Sequence, residues 1–224
     1  MYISRVQLDV QRRNTLRALT MPQILHGAVE TSMGYGTSND KERRRVLWRV
    51  DYVGDKCYLL LVGEQQPDLR VLHEQFGHSD SLYLGDSKPY TALLDQLQIG
   101  QRWQFRLRAN PVRNSSKEAN NRTGRGKVYA VRKDQQLEWL RSRGDESGFR
   151  IQVGEFEIIH TEWKKFRKGL RGNHEVSICT ITYEGLLTIT DENKFRQMLV
   201  SGMGRAKAYG CGLMTIMRPP GYSR

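Results

Sequence analysis

With 224 residues, 38% of them hydrophobic and 27% charged, the chain is large enough for one big domain or two of about 100 residues, and too apolar for a disordered one. Lys and Arg outnumber Asp and Glu by 36 to 24, and the resulting net charge of +12 attracts polyanions, nucleic acid first among them. No apolar run approaches the roughly 20 residues that cross a bilayer and the start MYISRVQLDVQRR carries no signal-peptide core, so a cytoplasmic protein with no membrane partner is expected.

In chain order, Val6, Leu8 and Val10 alternate with Gln7 and Asp9, the period of a half-buried strand. A helix is predicted from about Met21 to Ser32, with Thr20 as its cap, Pro22 in its first turn and Leu25, Ala28 and Val29 on one face. After a polar loop, Val46 to Tyr52 and CYLLLV read as two strands joined by a turn at Gly54-Asp55. Pro67 to Phe76 reads as a short helix. In Gln101 to Asn110, Trp103, Phe105, Leu107 and Ala109 face one way, and Arg102, Gln104, Arg106 and Arg108 the other. The order βαββαβ in one antiparallel sheet matches the ferredoxin-like arrangement of RNA-recognition modules.

Residues Asn110 to Gly126 carry turn formers and basic side chains with almost nothing apolar, and read as a loop or linker. A second βαββαβ order follows. Lys127 to Val131 is its first strand, Gln135 to Arg143 a helix with Leu137 and Leu140 inward, and Phe149 to Ile159 and Val176 to Thr190 are further strands. A helix from Glu192 to Leu199 stops at Gly202, and Cys211 to Met217 ends the series. The fold class is therefore α+β, with the ferredoxin-like element order met twice in tandem, across residues 1–112 and across residues 113–224, as a repeat of element order and not of sequence.

Between the last helix and last strand lies GMGRAKAYGCGLM, in which Gly202, Gly204, Gly210 and Gly212 surround Arg205 and Lys207. Glycines let a backbone take positive φ and approach a phosphate, and the two cations could meet it; a helix cap followed by a closely packed strand is the other reading. The strand–loop–helix order of a Rossmann loop is reversed here, and no G-x-x-x-x-G-K-[ST] occurs, which excludes a P-loop ATPase. No helix-turn-helix suggests a DNA-binding regulator. The segment WKKFRKGLR, read as a short loop between strands, gathers Lys164, Lys165, Arg167, Lys168 and Arg171 with Trp163 and Phe166 as anchors, as a solvated face or as a polyanion contact. Among the histidines, His73 and His78 lack zinc-site spacing, and no clustered carboxylates suggest two metal ions, so neither metal nor cofactor is expected. Cys57, Cys179 and Cys211 are scattered in apolar runs and read as buried free thiols.

Three stretches together, QFRLRANP at Gln104 to Pro111, YEGLLTI at Tyr183 to Ile189 and GMGRAKAYGCGLM at Gly202 to Met214, resemble the CasE family in the same order. The MYISRV start, His26-Gly27 and the GK strand followed by the EWL helix extend the likeness over nearly the whole chain. What the resemblance implies is a metal-independent endoribonuclease of two ferredoxin-like domains, which cuts CRISPR precursor RNA on the 3′ side of the repeat hairpin and stays bound to the mature RNA beside other Cascade subunits. The family's catalytic histidine falls on His26. Relatives often carry a tyrosine three residues earlier, where this chain has Gln23. Histidine suits proton transfer in 2′-hydroxyl attack, because its unperturbed pKa of ~6.5 gives access to both forms near neutrality. The basic segment matches one that relatives place against the RNA stem, and Arg125, Lys127, Arg205 and Lys207 would extend its track. The alternative is a noncatalytic subunit that only holds an RNA hairpin.

Overall fold

The computed structural model describes residues 1–35, 45–119, 126–168 and 174–221; of residues 115–119, 126, 127, 168 and 174 only the backbone is described. The first sheet has four strands in the order β2-β3-β1-β4, where β1 is Tyr2–Leu8, β2 Leu47–Val53, β3 Lys56–Gly63 and β4 Asp86–Pro89. All of its pairings are antiparallel. Gly54 and Asp55 form the tight turn between β2 and β3, with Gly54 at φ 60 where a side chain would be strained. Helices α1 (Arg13–Thr20), α2 (Pro22–Ser32) and α3 (Leu69–Phe76) supply Ala18, Leu25, Val29, Leu72 and Phe76 to a core closed by Val6, Leu8, Leu59 and Leu61 of the sheet.

Helix α1 was not expected, because RNTLRALT is mostly polar and only Thr15 and Ala18 of it are buried. Pro22 keeps Met21 out of helical geometry and divides α1 from α2. Thr20 consequently closes α1, donating to the carbonyls of Leu16 and Arg17, and does not cap α2.

A short helix α4 (Thr91–Leu94) leads into β5 (Arg102–Ala109). Its alternation is as read, with Trp103, Phe105, Leu107 and Ala109 buried, but β5 does not complete the first sheet. It opens the second. That sheet has the path β11-β5-β10-β8, with β9 paired to β10; β8 is Phe149–Arg150, β9 Phe156–Lys168, β10 His174–Ile189 and β11 Met214–Met217. The fourth strand of the first module is β4, whose DSKP has no apolar alternation. Each sheet thus has the antiparallel order of a ferredoxin-like module, and the passage from one to the other lies between β4 and β5.

The expected linker from Asn110 to Gly126 contains a strand, β6 (Val112–Ala119), paired with β7 (Gly126–Ala130) in a two-stranded ribbon inserted after β5. Backbone pairing alone builds such a ribbon, so its polar sequence hid it. Helices α5 (Gln136–Arg141), α6 (Gly144–Ser147) and α7 (Glu192–Ser201) cover the second sheet. In α5 Trp139 and Leu140 point inward, whereas Leu137 is exposed. Asp191 caps α7 by accepting from the backbone N–H of Asn193 and Lys194. Leu47, Val62 and Tyr90 of the first module join the core of the second, so the modules share apolar packing. The three cysteines are buried free thiols, and among the described residues no helix is long and apolar enough to cross a membrane.

Candidate nucleic-acid cleavage site

The amphipathic pattern of α2 buries Leu25, Ala28 and Val29 and turns His26 and Glu30 the other way, one turn apart. His26 Nε2 lies 3.5 Å from Glu30 Oε1, and both side chains keep about a quarter of their surface exposed. They line one wall of a 460 Å³ cleft. Arg45 and Val46, at the entry to β2, and Gly204, Arg205, Ala206, Lys207 and Ala208 of the glycine-rich loop form the remainder.

The loop is held in a fixed shape by unusual backbone geometry. Gly202, Gly204, Gly210 and Gly212 have positive φ, as does Ala206 at φ 63. Met203 N–H donates to the Gly212 carbonyl and Gly212 N–H to the Arg108 carbonyl, which seats the loop on β5. A Cβ on Gly210 would stand 2.7 Å from the Trp48 ring, and one on Gly212 2.7 Å from the Met203 carbonyl oxygen. Gly202 approaches Leu47 in the same way. Close packing of the loop against β2 and on itself therefore accounts for Gly202, Gly210 and Gly212, while Gly204 lines the cleft. Lys207 donates from Nζ to the Ser201 carbonyl at 2.7 Å; burial and the Arg45 charge hold its ammonium below the usual lysine range. Arg205 is exposed and donates to Asn114 Oδ1 of β6 at 3.3 Å.

The basic segment is different from a loop between strands, since Trp163 to Lys168 is the end of β9 and alternates. Phe166 is buried, with its ring 4.9 Å from that of Tyr209, whereas Trp163, Lys165 and Arg167 are exposed. Trp163 is thus no anchor. Lys164 is on the inner face: it donates to the Leu19 carbonyl at the end of α1 and sits 3.5 Å from Glu162, and burial pulls its pKa down. Gln23 Nε2 donates to the Arg167 carbonyl at 3.3 Å, so β9 is tied to both α1 and α2. Nothing is described of the side chains of Lys127 and Lys168, and Arg125 and Arg171 lie outside the described residues.

The guanidinium face of β5 is not open to a ligand in the way its alternation suggests. Arg102 pairs with Glu155, Arg106 with Glu184, and Arg108 with Glu162 at 2.6 Å. A larger cavity of 690 Å³ lies beside this face, between β2 and β9, lined among others by Trp48, Tyr52, Arg108, Trp163, Lys164 and Lys165. Glu30 and Arg45 belong to the cleft although neither was singled out in the sequence. Glu30 was within reach of the i, i+4 rule from His26, but Arg45 enters only through the fold. Among the described residues no group of three or more His, Cys, Asp or Glu is placed to hold a metal ion. The arrangement offers an imidazole and a carboxylate for proton transfer, facing cations suited to a phosphate.

Comparison with known proteins places the chain in a family. The chain is 26% identical over 226 residues to the CRISPR-associated endoribonuclease Cse3 of Thermus thermophilus, covering 96% of this chain and 99% of that protein. It is 30% identical over 127 residues to the CRISPR system Cascade subunit CasE of Escherichia coli, covering 54% of this chain and 60% of that one. A solved structure of CRISPR endoribonuclease Cse3 bound to 19-nucleotide RNA is 25% identical and superposes with a TM-score of 0.75 over 97% of this chain and 99% of that chain. The family model for CRISPR associated protein matches residues 1–218, and the chain belongs to that family.

Proposed function

We propose that the chain is a metal-independent endoribonuclease that cuts CRISPR precursor RNA on the 3′ side of the repeat hairpin, leaves a 2′,3′-cyclic phosphate, and remains on the mature RNA as a Cascade subunit. The observation that carries this reading is His26 in a cleft whose opposite wall supplies Arg205 and Lys207, in a chain similar over nearly its whole length to an endoribonuclease. The similarity to a Cascade subunit supports retention of the product, and the site of action is then the cytoplasm, where the transcript is made.

In this reaction the 2′-hydroxyl attacks the neighbouring phosphorus and the 5′-oxygen leaves. The protein aligns that attack, moves protons and stabilises charge on the phosphoryl oxygens. His26 is the proton-transfer group, and Arg205 and Lys207 face the phosphate. Gly204 lets the loop backbone come near, and Gly202, Gly210 and Gly212 hold its shape. Lys165 and Arg167 are exposed on β9 and contact the stem, which in A-form RNA is recognised through phosphates and shape. Lys164 contributes by fixing the strand. Arg125, Lys127, Lys168 and Arg171 are assigned to the same track from the resemblance. The histidine then belongs to the first module, and the basic strand and glycine-rich loop to the second.

A labelled repeat hairpin incubated with the protein in EDTA is cut to a product ending in a cyclic phosphate. His26→Ala removes cutting and keeps hairpin binding; deoxyribose at the residue before the cut gives binding without cleavage. Unchanged cleavage by His26→Ala, or normal cutting of the deoxy substrate, rules the mechanism out.

A further inference from the structure

Two protons move in the proposed reaction: one leaves the 2′-hydroxyl and one arrives at the 5′-oxygen. Among the described residues lining the cleft, only His26 and Glu30 carry side chains that can accept a proton at neutral pH, because Arg45, Arg205 and Lys207 are donors. The two groups are neighbours on α2, 3.5 Å apart and about equally exposed. We propose that Glu30 is a second catalytic residue, taking the 2′-hydroxyl proton while His26 protonates the 5′-oxygen. The inference rests on the endoribonuclease reading above.

The spacing suits an in-line displacement. Residues i and i+4 are displaced along a helix by about 6 Å and lie on one side of it. The attacking and leaving oxygens stand on opposite sides of phosphorus, so a phosphate resting over this face with that axis along α2 brings the 2′-oxygen to one group and the 5′-oxygen to the other. A carboxylate alone would repel the backbone. Here Arg45 comes from the approach to β2, and Arg205 and Lys207 from the opposing loop, which offsets that repulsion and leaves cations for the nonbridging oxygens.

The step balances without any co-reactant. The 2′-oxygen to phosphorus bond forms as the 2′-proton passes to a Glu30 carboxylate oxygen. The phosphorus to 5′-oxygen bond breaks as the imidazolium of His26 gives up its Nε2 proton, leaving the cyclic phosphate and a 5′-hydroxyl. Glu30 is then protonated and His26 neutral, and a proton passing between them across the short gap restores the starting state.

A substrate with sulfur in place of the 5′-bridging oxygen separates the two roles, since a thiolate departs without a general acid. Glu30→Gln keeps the side-chain size and is expected to lower the single-turnover rate about 10²- to 10⁴-fold on both the oxygen and the sulfur hairpin, with hairpin affinity retained. His26→Ala is expected to be inactive on the oxygen hairpin and to regain cutting on the sulfur one. A wild-type rate for Glu30→Gln on the oxygen hairpin overturns the proposal, as does rescue of Glu30→Gln by sulfur to the extent seen for His26→Ala. Unaltered protein that cuts neither hairpin overturns the endoribonuclease reading itself, and the role of Glu30 with it.

Discussion

Gly210 and Cys211 show how closely the glycine-rich loop is tied to its surroundings. Gly210 has φ 78, and an added Cβ would meet the face of Trp48 at 2.7 Å. Gly210→Ala combines left-handed strain, about 1–2 kcal/mol, with displacement of a buried indole. It is expected to lower stability by roughly 2 kcal/mol and to slow cleavage by shifting Arg205 and Lys207, checked by denaturant unfolding and single-turnover assay. Cys211 is fully buried, and burial pushes its thiol up to about 12 from 9.0. The folded state therefore holds this proton when the unfolded state has released it. The contribution to stability is complete below pH 9 and is lost as pH rises towards 12. Unfolding free energies measured against pH are expected to fall more gently above pH 9 in Cys211→Ala than in the unaltered protein.

The hairpin of β9 and β10 separates cations that a charge count treats alike. Lys164 faces inward and bonds the Leu19 carbonyl, whereas Lys165 and Arg167 face water. Lys164→Met is expected to cost about 1 kcal/mol of stability by removing that hydrogen bond. Replacing Lys165 and Arg167 together by Ala is expected to leave stability nearly unchanged and to reduce the slope of log affinity against log salt by about 0.7–0.9 for each phosphate no longer neutralised. An unchanged slope in binding titrations would remove both residues from the RNA track. The same strand shows what the sequence hides. In WKKFRK the run of positive charge masks the period of two that puts Lys164 and Phe166 on one side, so a strand looks like a loop. Trp103, Phe105, Leu107 and Ala109 make β5 plain as a strand, but alternation states only that one face is buried and not which sheet it joins. His26 is legible through the resemblance alone, and Arg45 through the fold alone, because only folding brings the approach to β2 against α2 and the loop.

At the scale of the whole molecule, the cleft exists only if the two modules keep their relative position, since α2 carries His26 and the second module carries the opposing wall. Apolar contact of Leu47 with Gly202 and of Trp48 with Gly210 contributes, but Arg49 of β2 makes the directional link. It is 1% exposed, and its five donors are all used. Nε and Nη2 hold the Asp51 carboxylate at 2.7 and 2.6 Å; Nη1 reaches the carbonyls of Arg106 and Leu213 at 2.6 and 2.9 Å, and Nη2 the hydroxyl of Thr215 at 2.7 Å. The first module thereby grips β5 and β11 of the second just beside the loop. Arg49→Met fills the space but strands these acceptors, and breaking a buried pair in this way costs about 3–5 kcal/mol. A lowered unfolding midpoint alone would mark Arg49 as structural. If it also sets the cleft, the variant cuts more slowly at temperatures where circular dichroism shows it folded, and Arg49→Lys, with three donors for five acceptor contacts, falls between the two. Wild-type cleavage by folded Arg49→Met would mean that the apolar contacts of Leu47 and Trp48 are enough to hold the histidine opposite the loop.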